Sequence, residues 1–137
     1  MGGYGAVKLA MRFPDKFCAA VSHSGALHFG STPFEEFDQD RITEVRIGLG
    51  DTAVGGLNDP RVLAANVPIE KRPSIRNDCG TEDFLIEHNR SFHAFLNDIG
   101  YPHEYEEFPG EHNWGYWDTH IQESLHFLKP HIGIETN

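Results

Sequence analysis

Met1-Gly2-Gly3-Tyr4-Gly5-Ala6 is the stretch from which the fold is read. A serine nucleophile at a sharp strand-to-helix turn carries the pattern G-x-S-x-G, with glycines where side chains would obstruct the close turn. Met1 fits the position after such a serine and Gly2 fits the closing glycine. The serine itself would then stand one residue ahead of Met1. This predicts that the sequence is the downstream part of a longer chain. Beyond the turn the pattern predicts a helix over 3–12, with Val7, Ala10 and Met11 as its apolar positions and Pro14 as its stop.

Working outward, Phe17 to Val21 is a continuous apolar run bounded by Asp15 and Ser22-His23-Ser24-Gly25, the pattern of a strand buried on both faces. Pro73 to Cys79 predicts a second strand ending at Gly80, although Arg76, Asn77 and Asp78 stand where a central parallel strand wants apolar groups. Leu85, His88, Phe92, Phe95, Leu96 and Ile99 form one helical stripe from Phe84 onward, closed by Gly100 and then Pro102. His103 to Phe108 is a third strand. Trp114 to Pro130 is a closing helix, with Ile121, Leu125 and Leu128 predicted on its buried side.

Residues 28–71 are less regular. Val45, Ile47 and Leu49 alternate with polar neighbours as in a strand, while Gly48, Gly50, Gly55 and Gly56 argue for loops. Asp59-Pro60 ahead of Arg61-Val62-Leu63-Ala64-Ala65 reads as a capped helix start with proline in first position. The span is assigned as a lid or pocket-wall insertion.

Strands separated by helices of this length imply right-handed crossovers and a parallel sheet flanked by helices, so the fold class is α/β. Three strands make a small sheet, and the apolar run at 17–21 would be an unpaired edge. Both points predict further strands upstream of residue 1, and self-association through that edge in their absence.

The 137 residues suit one domain with a real core. A formal charge of −10 argues against nucleic acid and anionic membrane surfaces, which need clustered Lys and Arg. There is no apolar run of membrane-spanning length and no signal-peptide pattern over 1–30, so a cytoplasmic setting is expected unless an upstream segment carries a targeting signal. Cys18 and Cys79 form no CxxC and read as two buried free thiols. The nine histidines include no HExxH, and His88 and His93 are spaced wrongly to share a helix face, so no metal site is expected.

Chemistry concentrates in two loops at predicted strand ends, where α/β sheets place their ligands. They are Asp78-Cys79-Gly80-Thr81-Glu82-Asp83-Phe84 and Phe108-Pro109-Gly110-Glu111-His112-Asn113-Trp114. A serine hydroxyl attacks only if an imidazole takes its proton, and the imidazole needs a carboxylate to hold its tautomer. The order turn remnant, Asp83, His112 matches the chain order Ser, Asp, His. On residues alone, Glu82 and Asp78 are rival acids, Asp83 is equally a helix cap, and His112 is equally a loop histidine stacked on Trp114.

Together, Met1-Gly-Gly-Tyr-Gly-Ala, Cys79-Gly-Thr-Glu-Asp-Phe-Leu and Pro109-Gly-Glu-His-Asn-Trp resemble the esterase family of α/β-hydrolases that includes tributyrin and feruloyl esterases, S-formylglutathione hydrolases, enterochelin esterases and mycolyltransferases. The resemblance covers nearly the whole chain, most securely 1–30 and 75–130. It implies the C-terminal part of a single α/β-hydrolase domain, with Asp83 as triad acid and His112 as base. The backbone N–H of Met1 would be one oxyanion-hole donor. On the residues themselves, Trp114, Tyr116 and Trp117 either line an acyl or aromatic pocket or staple the last helix to the sheet; Trp114 and Tyr116 are assigned as substrate contacts and Trp117 to the staple. The implied substrate is a small carboxylic ester or thioester, with no cofactor. Acyl transfer to an alcohol and a catalytically inactive fragment are the alternatives. Relatives often have Gly-Gly-His where this chain has Gly110-Glu111-His112. They also carry a serine-glycine segment like Ser24-Gly25 without using it as nucleophile, so Ser24 is expected to be structural.

Overall fold

A computed structural model describes residues 1–50 and 54–133. Three parallel strands, β1 (Ala19–His23), β2 (Ser74–Gly80) and β3 (His103–Phe108), lie side by side in that order. Their companions are α1 (Gly2–Arg12), α2 (Gln39–Leu49), α3 (Pro60–Asn66), α4 (Ile86–Asp98) and α5 (Trp114–Leu128). The architecture is the α/β arrangement expected, a parallel sheet between helices.

The alternation of β2 explains the layering. Ile75 and Cys79 point to one face, where Ile75 joins Val7, Met11, Leu63, Phe92 and Leu96 in a single apolar core built by α1, α3 and α4. Each fully buried side chain of this size contributes about 1.5–3 kcal/mol, so this face carries most of the stability. Arg76 and Asp78 point to the other face, which α5 covers. There Arg76 is buried and its guanidinium donates to the carboxylates of Glu104 and Glu106. Asp78 receives the Tyr116 hydroxyl and the His23 ring. Arg76 and Asp78 are therefore tolerated in mid-sheet because neighbours on β1, β3 and α5 meet part of their hydrogen-bonding capacity, whereas the buried Asn77 amide makes no side-chain hydrogen bond among the described residues.

Four expectations are corrected. Val45, Ile47 and Leu49 lie in a helix: Val45 and Leu49 are one turn apart and buried, while Ile47 is 82% exposed. A five-residue alternation contains an i, i+4 pair, so helix and strand give the same local signal. β1 starts two residues later than Phe17, which leaves Cys18 outside the strand and exposed, its Sγ donating to His131 O. Cys79 is buried as expected, and both thiols are free. On α5, Ile121 and Leu125 are exposed and Tyr116 and Ser124 are buried, because the sheet face beneath them is polar. The stripe after Phe84 becomes helical only at Ile86, with Phe84 itself exposed.

Within 28–71, α3 starts at Pro60 with the Asp59 carboxylate accepting Arg61 N–H at 2.9 Å. Val45 and Leu49 of α2 pack with Phe29 and Phe37 against Tyr4 of α1, and Tyr4 donates to Asn58 O at 2.6 Å. Residues 51–53 of this span lie outside the described residues. Among the described residues no helix is long and apolar enough to cross a membrane.

Candidate active site

Parallel strands end together, so the loops after β1, β2 and β3 share one rim of the sheet. The β2–α4 loop and the β3–α5 loop are fastened to each other. Thr81 N–H donates to Phe108 O at 2.9 Å and Glu82 N–H to Gly110 O at 3.1 Å. The Glu82 carboxylate accepts the Gly110 N–H in return. That backbone bond, followed by a hydrogen bond from the Thr81 side chain, holds the Glu82 carboxyl below its usual range. Gly80 has no room for a side chain, since a Cβ there would come within 2.1 Å of Gly110 O. The two loops meet backbone to backbone.

This clamp brings Asp83 and His112 together. His112 Nδ1 lies 2.9 Å from Asp83 Oδ2, with the carboxylate fully buried and the ring partly open to solvent. A carboxylate only accepts, so Nδ1 carries the proton and Nε2 of the neutral ring keeps its lone pair. The other oxygen, Oδ1, accepts Leu85 N–H at 2.8 Å. Asp83 is therefore the imidazole partner but not the cap of α4: the N-cap is Leu85, with no side-chain cap bond, and Asp83 accepts the N–H of that residue ahead of the helix.

The rival acids are committed elsewhere. Glu82 holds Gly110, and Asp78 is buried under α5 with His23 and Tyr116. Ser24 has φ +49 and is buried, with its N–H donating to Asp78 O at 2.8 Å and its Oγ facing Trp117 Nε1 at 3.4 Å.

The ring of His112 is enclosed by aromatics. Trp117 meets it edge-on at 4.9 Å and Phe84 lies at 4.8 Å; Trp114 stands against Trp117 at 5.3 Å. Phe84 is 76% exposed and Trp114 82% exposed. Phe84 beside the imidazole and Trp114 beside Trp117 thus leave large apolar side chains open to water. Phe84 was not singled out in the sequence, although its place next to Asp83 was the available signal. Tyr116, expected as a substrate contact beside Trp114, is instead buried with its hydroxyl donated to Asp78.

Met1 caps α1, its carbonyl accepting Gly5 N–H at 2.9 Å. The first turn of α1 sits on the end of β1: a Cβ on Gly3 would lie 2.4 Å from Ser22 Oγ and 3.3 Å from His23 O. The free N–H groups and positive end of α1 therefore lie at the rim that carries the loops of Asp83 and His112. Among the described residues no group of three or more His, Cys, Asp and Glu is arranged to hold a metal ion.

Residues 1–128 match the profile of the Esterase family, described as "Putative esterase". Among curated proteins, the acetyl esterase of Caldicellulosiruptor saccharolyticus is 29% identical over 136 residues, covering 93% of this chain and 51% of the relative. Among solved structures, the S-formylglutathione hydrolase of Staphylococcus aureus is 32% identical with a TM-score of 0.73, covering 93% of this chain and 51% of that one. A ferulic acid esterase is 26% identical with a TM-score of 0.71, covering 93% and 47%. The chain spans about half the length of these relatives.

Proposed function

The chain belongs to the Esterase family, and from that premise we propose that it forms the acid-and-base part of a carboxylic ester or thioester hydrolase. The single observation that carries this reading is the 2.9 Å contact from His112 Nδ1 to a buried Asp83 oxygen at the rim of a parallel sheet. The nucleophile in this proposal is a serine immediately ahead of Met1 in the intact polypeptide. His112 Nε2 takes the serine proton as the oxygen attacks the ester carbonyl, and Asp83 stabilises the imidazolium that forms. The Met1 N–H faces the developing oxyanion as one donor; loss of one such donor typically costs about 100- to 1000-fold in rate. The tetrahedral adduct expels the alcohol or thiol, which takes its proton from His112. Water then attacks the acyl-serine with His112 again as base, releasing the acid and restoring the serine.

Phe84 and Trp114 form the apolar wall for the group carried next to the scissile bond. The described residues of the span 28–71, anchored on Tyr4 through Val45 and Leu49, form a second wall.

The test uses p-nitrophenyl acetate. A polypeptide extended through an in-frame Gly-x-Ser before Met1 should turn over the ester and lose that activity on His112→Ala. The 137-residue chain should not exceed its own His112→Ala control. An inert extended polypeptide would sink the hydrolase reading. Strong His112-dependent turnover by the chain alone would move the nucleophile inside it, with Ser24 the first suspect.

A further inference from the structure

Beneath the proposed site lies a second Ser-His-Asp alignment that the reaction does not use. Ser124 Oγ is 2.7 Å from His23 Nε2, and His23 Nδ1 is 2.9 Å from Asp78 Oδ1. The same Asp78 oxygen receives the Tyr116 hydroxyl at 3.0 Å. Ser124 is 1% exposed and Asp78 is fully buried, so no substrate reaches this hydroxyl and it is not a second nucleophile. Its directions follow from the acceptor at its end: His23 Nδ1–H donates to the carboxylate, which leaves Nε2 to accept from Ser124. Burial, and then the charge of Asp78, push the Tyr116 phenol well above its ordinary range, so it stays a donor.

Each member comes from an element that carries part of the site. His23 ends β1, and Asp78 lies on β2, which runs on into the loop of Asp83. Tyr116 and Ser124 lie on α5, which follows the loop of His112. Tyr116 also grips that loop directly. Its N–H donates to Asn113 Oδ1 at 3.0 Å. Its ring presses on Gly110, where φ is +142 and a Cβ would come within 2.7 Å of the ring. Gly110 and Asn113 bracket Glu111 and His112, so Tyr116 fixes both ends of the base-bearing turn.

We infer that Tyr116 and Asp78, backed by His23 and Ser124, are positioning residues that hold the His112 imidazole in register with Asp83. Two donors on one buried carboxylate make charge-assisted bonds, roughly twice as strong as neutral ones, and they couple three elements through one oxygen. The use of this network in catalysis rests on the esterase reading, whereas its effect on His112 does not.

The test is nitrogen-15 histidine NMR on the whole chain. Tyr116→Phe removes one oxygen and keeps the ring. It should speed exchange of the His112 Nδ1 proton by about tenfold, the size of one lost charge-assisted bond. His23 should keep its own Nδ1 proton. Ser124→Ala should act in the same direction by a smaller factor. Leu96→Val, a comparable destabilisation in the core beneath α4, should leave His112 unchanged. Wild-type His112 exchange in folded Tyr116→Phe or folded Ser124→Ala chains overturns the inference, as does equal acceleration by Leu96→Val. In an ester-hydrolysing polypeptide that includes this chain, Tyr116→Phe should lower kcat roughly 10- to 100-fold with KM nearly unchanged. If His112→Ala leaves turnover intact, the esterase reading falls while the NMR comparison still judges the network.

Discussion

Asp83 divides its carboxylate between two partners, Leu85 N–H on one oxygen and His112 Nδ1 on the other. The two roles separate by substitution. Asp83→Asn keeps an oxygen for the Leu85 N–H but offers His112 an amide, which favours the wrong tautomer. It should melt close to the parent and, in an ester-hydrolysing polypeptide that includes this chain, lose about 10⁴-fold in kcat. Asp83→Ala removes both acceptors and should cost about 1 kcal/mol of stability on top of the lost turnover. Thermal melts of the pair, read beside their turnover, decide the matter: coincident melts would show that the bond to Leu85 N–H adds no stability. The sequence narrowed the acid to three carboxylates in one loop. Which of them met His112 depended on a neighbouring strand, since Asp78 points under α5, Glu82 reaches Gly110, and Asp83 is left facing the imidazole.

At the scale of elements, the loop after β1 meets α3 and α4 through His28. Arg61 Nη2 donates to His28 Nε2 at 2.6 Å and to Ser91 at 2.7 Å, and the His88 ring stacks on His28 at 4.5 Å. Burial, then Arg61, then His88 lower the His28 pKa from 6.5 to about 4. The folded chain thus binds fewer protons than the unfolded chain between those values. The contribution of this neutral ring is fully present above pH about 6.5 and is lost as pH falls toward 4. Urea midpoints from pH 7 to 4 should fall for the parent and fall less steeply for His28→Gln. Parallel curves would show that this junction does not titrate with folding. Helix and strand assignments held where patterns were long, as in α4, whose stripe and Gly100 stop are local facts. They failed where a pattern was short, as in α2, or where the partner surface set the meaning. Ile121 and Leu125 look like a core face, yet α5 turns Tyr116 and Ser124 inward to meet the polar side of β2.

For the whole molecule, the outer edge of β1 is the exposed flank. Among the described residues β1 pairs with β2 alone, and Ala6, Leu9, Phe17, Val21 and Leu128 line an apolar groove of about 310 Å³ beside it. An unpaired parallel strand with apolar neighbours is a template for association. We expect the 137-residue chain to self-associate in sedimentation experiments despite its formal charge of −10, and Val21→Lys to shift it toward monomer. A monodisperse parent would refute this. Outside residues 28–71, the order of helices and strands, the two loops and the candidates Asp83 and His112 were all determined by the sequence alone, because periodicity, stop residues and motif spacing act over short distances. Only the tertiary structure decided which carboxylate holds the imidazole, how a strand containing Arg76, Asn77 and Asp78 is buried, and which side of α5 faces inward. Those outcomes are set by registers between segments tens of residues apart, where a hydrogen-bond partner is supplied by packing rather than by neighbours in the chain.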